Sequence, residues 1–424
     1  MLVTEPLIAI KAEAKVSSKA WMIVGLLSFL GCLNYLDRVM ITTMRSSIIE
    51  AIPMSDSKFG LLTSVFLWVY GLLSPFAGFL ADKFQRSKVI IASLFLWSGV
   101  TWLTAHATTF EELLATRALM GISEACYIPA ALALIADYHK GPTRSLATGI
   151  HMAGVMVGQS FGFLGGWIAD RYVWSSAFSI FGIVGIVYSI ILAFLLRDIP
   201  RTDEDIEIQK EIKTKIKFTV AIADLFSRRS FIYAFIFWAL LGVIGWLVIG
   251  WLPTYYKEHF KLSQSTAGIY ATWYFSLCSL VGVLLGGALA DRWSKKNPRA
   301  RMMVPAIGLC IAAPFILLAS TTSVLFIAVG SFMVYALTRT FSDTNMMPIL
   351  CLISDPRYRA TGYGVLNMFA CIVGGFGIYA GGALRDKHID LSILFQAAAA
   401  IMLVCVLLLF LIKPRLNANL ENEF

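Results

Sequence analysis

The stretch GFLADKFQRSK (residues 78–88) closes one apolar run, and GALADRWSKK (287–296) closes another 209 residues later. A second pair of loop segments repeats as well. PTRSLATG (142–149) and YRATGYG (358–364) bring Arg144 and Arg359 into register at an offset of 215. The pairs Gly165-Gly166 and Gly381-Gly382, and then Asp170 and Asp386, follow with one added residue. Loop motifs that recur at two neighbouring offsets mark a chain built from two homologous halves, as many secondary transporters are. Between the halves lies the only long polar stretch, 197–229, with its mixed charges.

The residues around these motifs set the class. Of 424 residues, 58% are hydrophobic and 14% charged, whereas about a quarter of a soluble protein is charged. Apolar stretches near the ~20 residues needed to cross a bilayer are read at 21–42, 59–81, 89–107, 111–137, 145–169, 175–196, 230–252, 264–290, 302–320, 323–351, 361–384 and 391–412. The expected fold is an all-α polytopic membrane protein of twelve transmembrane helices in two pseudo-symmetric six-helix bundles. Its parts are a terminal segment (1–20), a first bundle (21–197), a central loop (198–229), a second bundle (230–412) and a tail (413–424). Residues 1–20 show no short apolar region with a small-residue cleavage site, so the run from Trp21 is expected to be a retained span.

Loop charge gives an orientation. On the side that carries both termini the loops hold 25 of the 35 Lys and Arg; the opposite loops hold 7, and Arg38, Arg117 and Arg339 lie inside spans. The positive-inside bias then places both termini in the cytoplasm of a plasma membrane, most simply a bacterial inner membrane. The net charge of +9 is spread over these short loops and forms no stripe for nucleic acid. Cys32, Cys126, Cys278, Cys310, Cys351, Cys371 and Cys405 all sit in apolar runs without metal-ligand spacing and read as small hydrophobes.

Over essentially its whole length the chain resembles the major facilitator superfamily, through the 78–88 motif and its repeat. The resemblance implies that Gly78, Asp82 and Arg86, with Gly287, Asp291, Arg144 and Arg359, gate the cytoplasmic side. Physically, the glycines permit close helix approach, and Asp82 can accept from a helix N-terminus or from Arg86. Within the superfamily, NYLDR (34–38), TRALMGISEACYIPA (116–130) and GWLPTYY (250–256) resemble the anion:cation symporters of sugar acids, sialic acid and glutamate. The first two also resemble spinster-like transporters of lysolipids, and Ser123 departs from the glycine more common there.

Ionisable residues in a span are costly and mark polar paths. Asp37, about 16 residues into span one, lies ~24 Å up at 1.5 Å per residue, and Arg117 falls in a similar layer. Glu124 is two turns below Arg117 on nearly the same face. Subtracting the 215 offset from Arg339 gives 124, so Arg339 is expected to face Glu124 across a central cavity. Glu124 is the expected proton site, with Asp37 coupled through Arg38 or Arg117. Arg339 is expected to hold a substrate carboxylate, although Asp343 stands four residues on as an i,i+4 partner.

Asn34, Tyr35, Tyr70, Tyr127, Gln159, Trp273, Tyr274, Thr338, Asn345 and Asn367 offer a lining suited to a hydroxylated ligand. Trp251, Tyr255 and Tyr256 read as interfacial anchors. His151 reads as structural, and His106, His139, His259 and His388 as solvated. The glycines of spans five and eleven read as close-packing seams that can slide.

The function expected is proton-coupled symport of a small organic anion such as a sugar acid, by alternating access. The alternative is a spinster-like exporter of an amphiphile. The sequence has no nucleophile motif, His/Cys cluster or phosphate loop that would suggest an enzyme. No cofactor is expected beyond the coupling ion. The expected partners are a small-molecule substrate and the lipid bilayer, with the chain working as a monomer.

Overall fold

A computed structural model describes residues 17–139, 143–199 and 218–414, together with the backbone but not the side chains of 78–83 and 360. Among these residues twelve helices are long and apolar enough to span a membrane. They match the expected twelve within a few residues at most ends, because hydropathy sets the existence of each span and capping sets its start. Spans one, four, eight and twelve begin on side-chain caps at Ser17, Thr109, Ser263 and Asp390. At Thr109 the cap is reciprocal, with Glu112 bonding back.

Span seven differs from expectation. It runs on through Pro253 to His259, and Trp251, Tyr255 and Tyr256 are fully buried, not interfacial. Their polar tips are met inside the protein in two cases: Trp251 Nε1 donates to Ile378 O (3.1 Å) and the Tyr255 hydroxyl to Ala319 O (2.9 Å). His139 is also buried, edge-on to Trp21 at 4.6 Å, and not solvated. In the central loop 218–226 forms a helix, Phe218–Phe226, whose Ala221 and Leu225 are buried; residues 200–217 lie outside the described set.

Two spans break at positions related by the repeat. Span four is helical over Phe110–Glu124 and again over Tyr127–Tyr138. Pro129 lacks the N–H that Ala125 O would accept, which ends the first segment at Glu124. Span ten is helical over Leu325–Arg339 and over Phe341–Ile353. There the Thr340 hydroxyl lies near three carbonyls, of Ser279, Ala336 and Leu337, at 2.9–3.2 Å, and competes with the backbone ladder. Glu124 and Arg339 thus each end the first segment of a discontinuous helix, 215 residues apart.

Span eight carries a second departure from regularity. Ile269–Tyr274 forms a π-helical turn. The Ser55 and Ser263 hydroxyls each accept from an N–H three residues on, at an offset of 208, while the loop motif beyond follows at 209. A π turn arises from one inserted residue, and the two offsets locate that residue inside span eight.

Packing of the bundles depends on glycine where helices cross. A Cβ on Gly154 would lie 2.8 Å from the Ser28 carbonyl carbon, and one on Gly158 2.7 Å from that of Cys32. Span five can therefore press on span one only because both positions lack side chains.

The two halves meet chiefly at the face opposite the termini, here called the far face. Asp386, ending span eleven, accepts from the N–H groups of Asp56 (2.8 Å) and Ser57 (3.1 Å) at the start of span two. Asp170, ending span five, accepts from Ser265 N–H (2.7 Å) at the start of span eight. Each carboxylate sits on the positive end of a helix from the other half, and the pseudo-two-fold exchanges the two contacts. Beside them Arg45 pairs with Asp56 and with Glu258 (3.0 Å), and Arg385 with Asp56 (2.9 Å) and Glu258 (2.9 Å). Nearer the middle, Ser64 donates to Gly375 O (2.7 Å), Trp68 to Ile372 O (2.9 Å) and Thr272 to Ser160 O (3.0 Å). The far face is closed.

Candidate functional site

Under that closure, spans one and four bring four charged side chains together. Arg38 and Glu124 form a buried pair, with Nη2 and Nε donating to Oε2 at 2.8 and 3.2 Å. The guanidinium is framed by Tyr35, Phe66 and Tyr70, whose ring centroids lie 4.5–4.8 Å from its carbon, and it also donates to Asn34 Oδ1 (3.4 Å). Such aromatic walls suit guanidinium, which is weakly hydrated and stacks on rings.

The other two charges have no ion pair among the described residues. Asp37 is 3% exposed; its Oδ2 accepts from the Thr101 hydroxyl (3.3 Å), and Oδ1 has no partner. Arg117 is 1% exposed. It lies over the Phe66 ring at 5.0 Å and its Nη1 approaches Met120 Sδ at 3.0 Å, while Nε has no partner. A cavity of about 20 Å³, room for a single water, lies between the halves against Arg38, Arg117, Thr42, Thr63, Phe66 and Trp246. In this state it is too small for an organic substrate.

Arg339 forms no ion pair with Glu124, which is taken by Arg38. Arg339 pairs with Asp343 at 2.7 Å, across the break of its own span, and reaches Leu241 O at 3.4 Å. The pairing expected with Glu124 is thus replaced by a local one, since the i,i+4 partner meets Arg339 without the entropic cost of joining two domains. Tyr127 is likewise removed from the cavity. It is fully buried among Trp97 and His151, and its hydroxyl donates to Leu27 O (2.9 Å). His151 is structural as expected, its Nδ1 meeting the same carbonyl at 3.0 Å. Asn345 is fully buried and holds span ten, donating to Phe341 O (2.9 Å).

Asn34, Tyr35 and Tyr70 belong to the cluster. Gln159 and Asn367 are half-buried. Trp273 packs on Phe161 (5.3 Å) and Phe163 (6.0 Å) across the halves, and Tyr274 is exposed, stacked on Tyr270.

The gate residues are less concentrated. The side chains of Gly78 and Asp82 lie outside the described set. Arg86 is buried, donates to Ala133 O (2.8 Å) and pairs with Asp137 in span four. Asp291 pairs with Arg301 (2.5 Å), so both loops tie neighbouring helices of one half. Gly287 abuts Thr344, Arg144 is exposed, and Arg359 donates to Cys351 O (3.1 Å).

Sequence reasoning missed Thr101 and the far-face ion cluster. Thr101 lies on span three with no charge to draw notice. Arg45, Glu258 and Arg385 looked like ordinary loop charges, and only the fold brings them together.

The Major Facilitator Superfamily model matches residues 27–377. Among relatives, the chain is 27% identical to Protein spinster homolog 3 of Danio rerio over 87% of this chain and 77% of that one. It is 26% identical to the "Probable sulfoacetate transporter SauU" of Cupriavidus necator over 95% of this chain and 96% of that one. A crystal structure of a bacterial homolog of the human lysosomal transporter spinster, in an inward-facing and unoccupied conformation, superposes with a TM-score of 0.74. It covers 93% of this chain and 96% of its own at 22% identity, a likeness of fold alone.

Proposed function

The chain belongs to the Major Facilitator Superfamily, and from that premise we propose that it is a proton-coupled transporter of an organic anion working by alternating access. The observation that carries this reading is the two buried charges, Asp37 and Arg117, that have no ion pair among the described residues, beside the Arg38–Glu124 pair. A carboxylate taken from water and left without a cation is the group a proton neutralises at least cost. Asp37 is therefore the favoured proton acceptor and Glu124 the partner that senses it through Arg38, the reverse of the order expected from sequence.

Charge balance gives the coupling. Two arginines and two carboxylates sum to zero; one bound proton leaves the cluster with a net positive charge. An anion then restores neutrality, with Arg117 free to meet a carboxylate or sulfonate through its fork of donors. Proton and anion thus favour each other's binding, and linkage makes that preference reciprocal. Termini in the cytoplasm, as the loop charges suggest, make the closed far face the outer one. The chain would then sit in a plasma membrane, bacterial inner membrane by the same reading, receiving substrate from the cytoplasmic side in this state.

The similarity to the sulfoacetate transporter supports a small dianion or sugar acid as cargo. The similarity to spinster proteins supports a second reading, an amphiphile with an anionic head, for which the same cluster would hold the head group. Uptake into proteoliposomes separates them, using labelled sulfoacetate, hexuronates, aldonates and a lysophospholipid, with and without an inward proton gradient. A small acid that accumulates only with the gradient supports the first reading, and lysolipid flux without small-acid competition supports the second. Flux that ignores pH for every compound overturns proton coupling.

A further inference from the structure

A cavity lies away from the charge cluster, between spans eight, nine and ten at the terminal face. It has a volume of about 430 Å³ and is lined by Leu289, Val304, Ile307, Phe341, Trp293 and the pair Arg292 and Lys296. Its floor is built. Val304 and Phe341 are buried and pack with Ala290 against Trp293. Phe341 reaches that floor because span ten breaks at Thr340 and because Gly286 and Gly308 leave room for its ring. Leu289 and Ile307, both about half exposed, form the walls that open toward the bilayer.

The charges stand at one end only. Arg292, in the last turn of span eight, and Lys296, just past its end, both line the slot, and both are exposed. Neighbouring Asp291 is taken by Arg301, so among the described residues Arg292 and Lys296 make no ion pair. Trp293 between them has the amphipathic ring that favours the headgroup layer. An apolar slot that opens sideways, with two unneutralised cations at its membrane-surface end, has the charge and polarity order of one molecule: an acyl chain joined to an anionic phosphate.

We propose that this slot is a binding site for one anionic phospholipid of the leaflet at the terminal face, its phosphate on Arg292 and Lys296 and an acyl chain along Leu289, Ile307 and Phe341. The lipid is a resident ligand and not the cargo, and the site is independent of the transport reading. It touches the break of span ten, at Phe341, two residues after Arg339. The cavity volume falls within the range of small-molecule sites, large enough for part of one chain and too small for a second protein element.

Tryptophan quenching by brominated lipids tests it. The full chain is reconstituted in bilayers of phosphatidylcholine containing a small fraction of phosphatidylglycerol, with bromine on the chains of one lipid at a time. Brominated phosphatidylglycerol should quench the wild type more than brominated phosphatidylcholine at equal fraction, and Trp293→Phe should lose that excess. Arg292→Gln/Lys296→Gln should weaken the preference roughly tenfold or more, since each basic residue near the surface contributes to anionic lipid binding. Lys295→Gln/Arg299→Gln removes equal charge outside the slot and should keep the preference. Equal quenching by the two lipids in the wild type would overturn the site. So would a control pair that loses the preference as fully as the slot pair, which would assign the effect to diffuse surface charge. All four substituted positions are exposed, so folding is retained and either result is readable.

Discussion

Asp386→Ala removes one of the two carboxylates that hold a helix start of the opposite half. Two hydrogen bonds go, to Asp56 and Ser57 N–H at 2.8 and 3.1 Å, together with a favourable charge at a helix N-terminus. A lost cap costs about 0.5–2 kcal/mol, and a lost charge at the dipole about 0.3–1 kcal/mol. Asp386 is exposed, so water takes over part of the bonding and the net effect is about 1 kcal/mol, roughly a fivefold shift toward the state with the far face open. The reporter is Thr63→Cys, in a chain whose seven native cysteines are replaced, because Thr63 is 7% exposed and lines the cavity under the closure. A membrane-impermeant maleimide added from the far side should label this cysteine about five times faster when Asp386 is alanine. Asp170→Ala should do the same, and the double variant should approach the product, since the two contacts share no residue. Unchanged labelling in a variant that still folds by thermal melting would refute the reasoning that these carboxylates hold the far face shut.

Asp37→Asn should abolish accumulation driven by a proton gradient while leaving substrate exchange; gradient-driven accumulation at the wild-type level would transfer the proton role elsewhere. Arg339→Gln should lower the melting temperature, with partial recovery in Arg339→Gln/Asp343→Asn, because removing one member of a mostly buried pair strands the other. Loss of substrate binding that Asp343→Asn does not restore would return Arg339 to substrate contact. Gly158→Ala should destabilise by about 1–3 kcal/mol through overpacking against span one, read as a drop of several degrees in thermal melting. A neutral outcome there would mean spans one and five separate without cost.

The fold was legible because its determinants are local and repeated. Hydropathy marks each span, and Asp82 with Asp291 or Arg144 with Arg359 mark the duplication. The charge cluster was half legible: Asp37, Arg38, Arg117 and Glu124 stand out as ions in apolar helices, and they do converge. Which of them pair depends on side-chain reach across helices, so Arg38–Glu124 and the isolation of Asp37 could not be read from spacing. Arg339 shows the opposite failure, where a repeat offset suggested a distant partner and a local one took precedence. Trp251 looked like a membrane anchor because aromatic residues near span ends usually are; here Arg45 and Arg385 lie over its ring at 5.9 and 5.5 Å. The covering charges come from positions more than a hundred residues away in each direction.

The inserted residue in span eight has a consequence for how the molecule meets its membrane. Two halves related by a two-fold axis would present identical seams to the bilayer on opposite flanks, and anything dissolved in lipid would find two equivalent doorways. The π turn makes the flanks unequal. Spans two and eleven are stitched along a regular helix, like a spine. Spans five and eight meet at the π turn, where Trp273 packs against Phe161 and Phe163. A duplicated chain thereby acquires a front and a back. Cargo arriving sideways from the lipid has one side on which to enter, whereas cargo arriving from water has no reason to distinguish them.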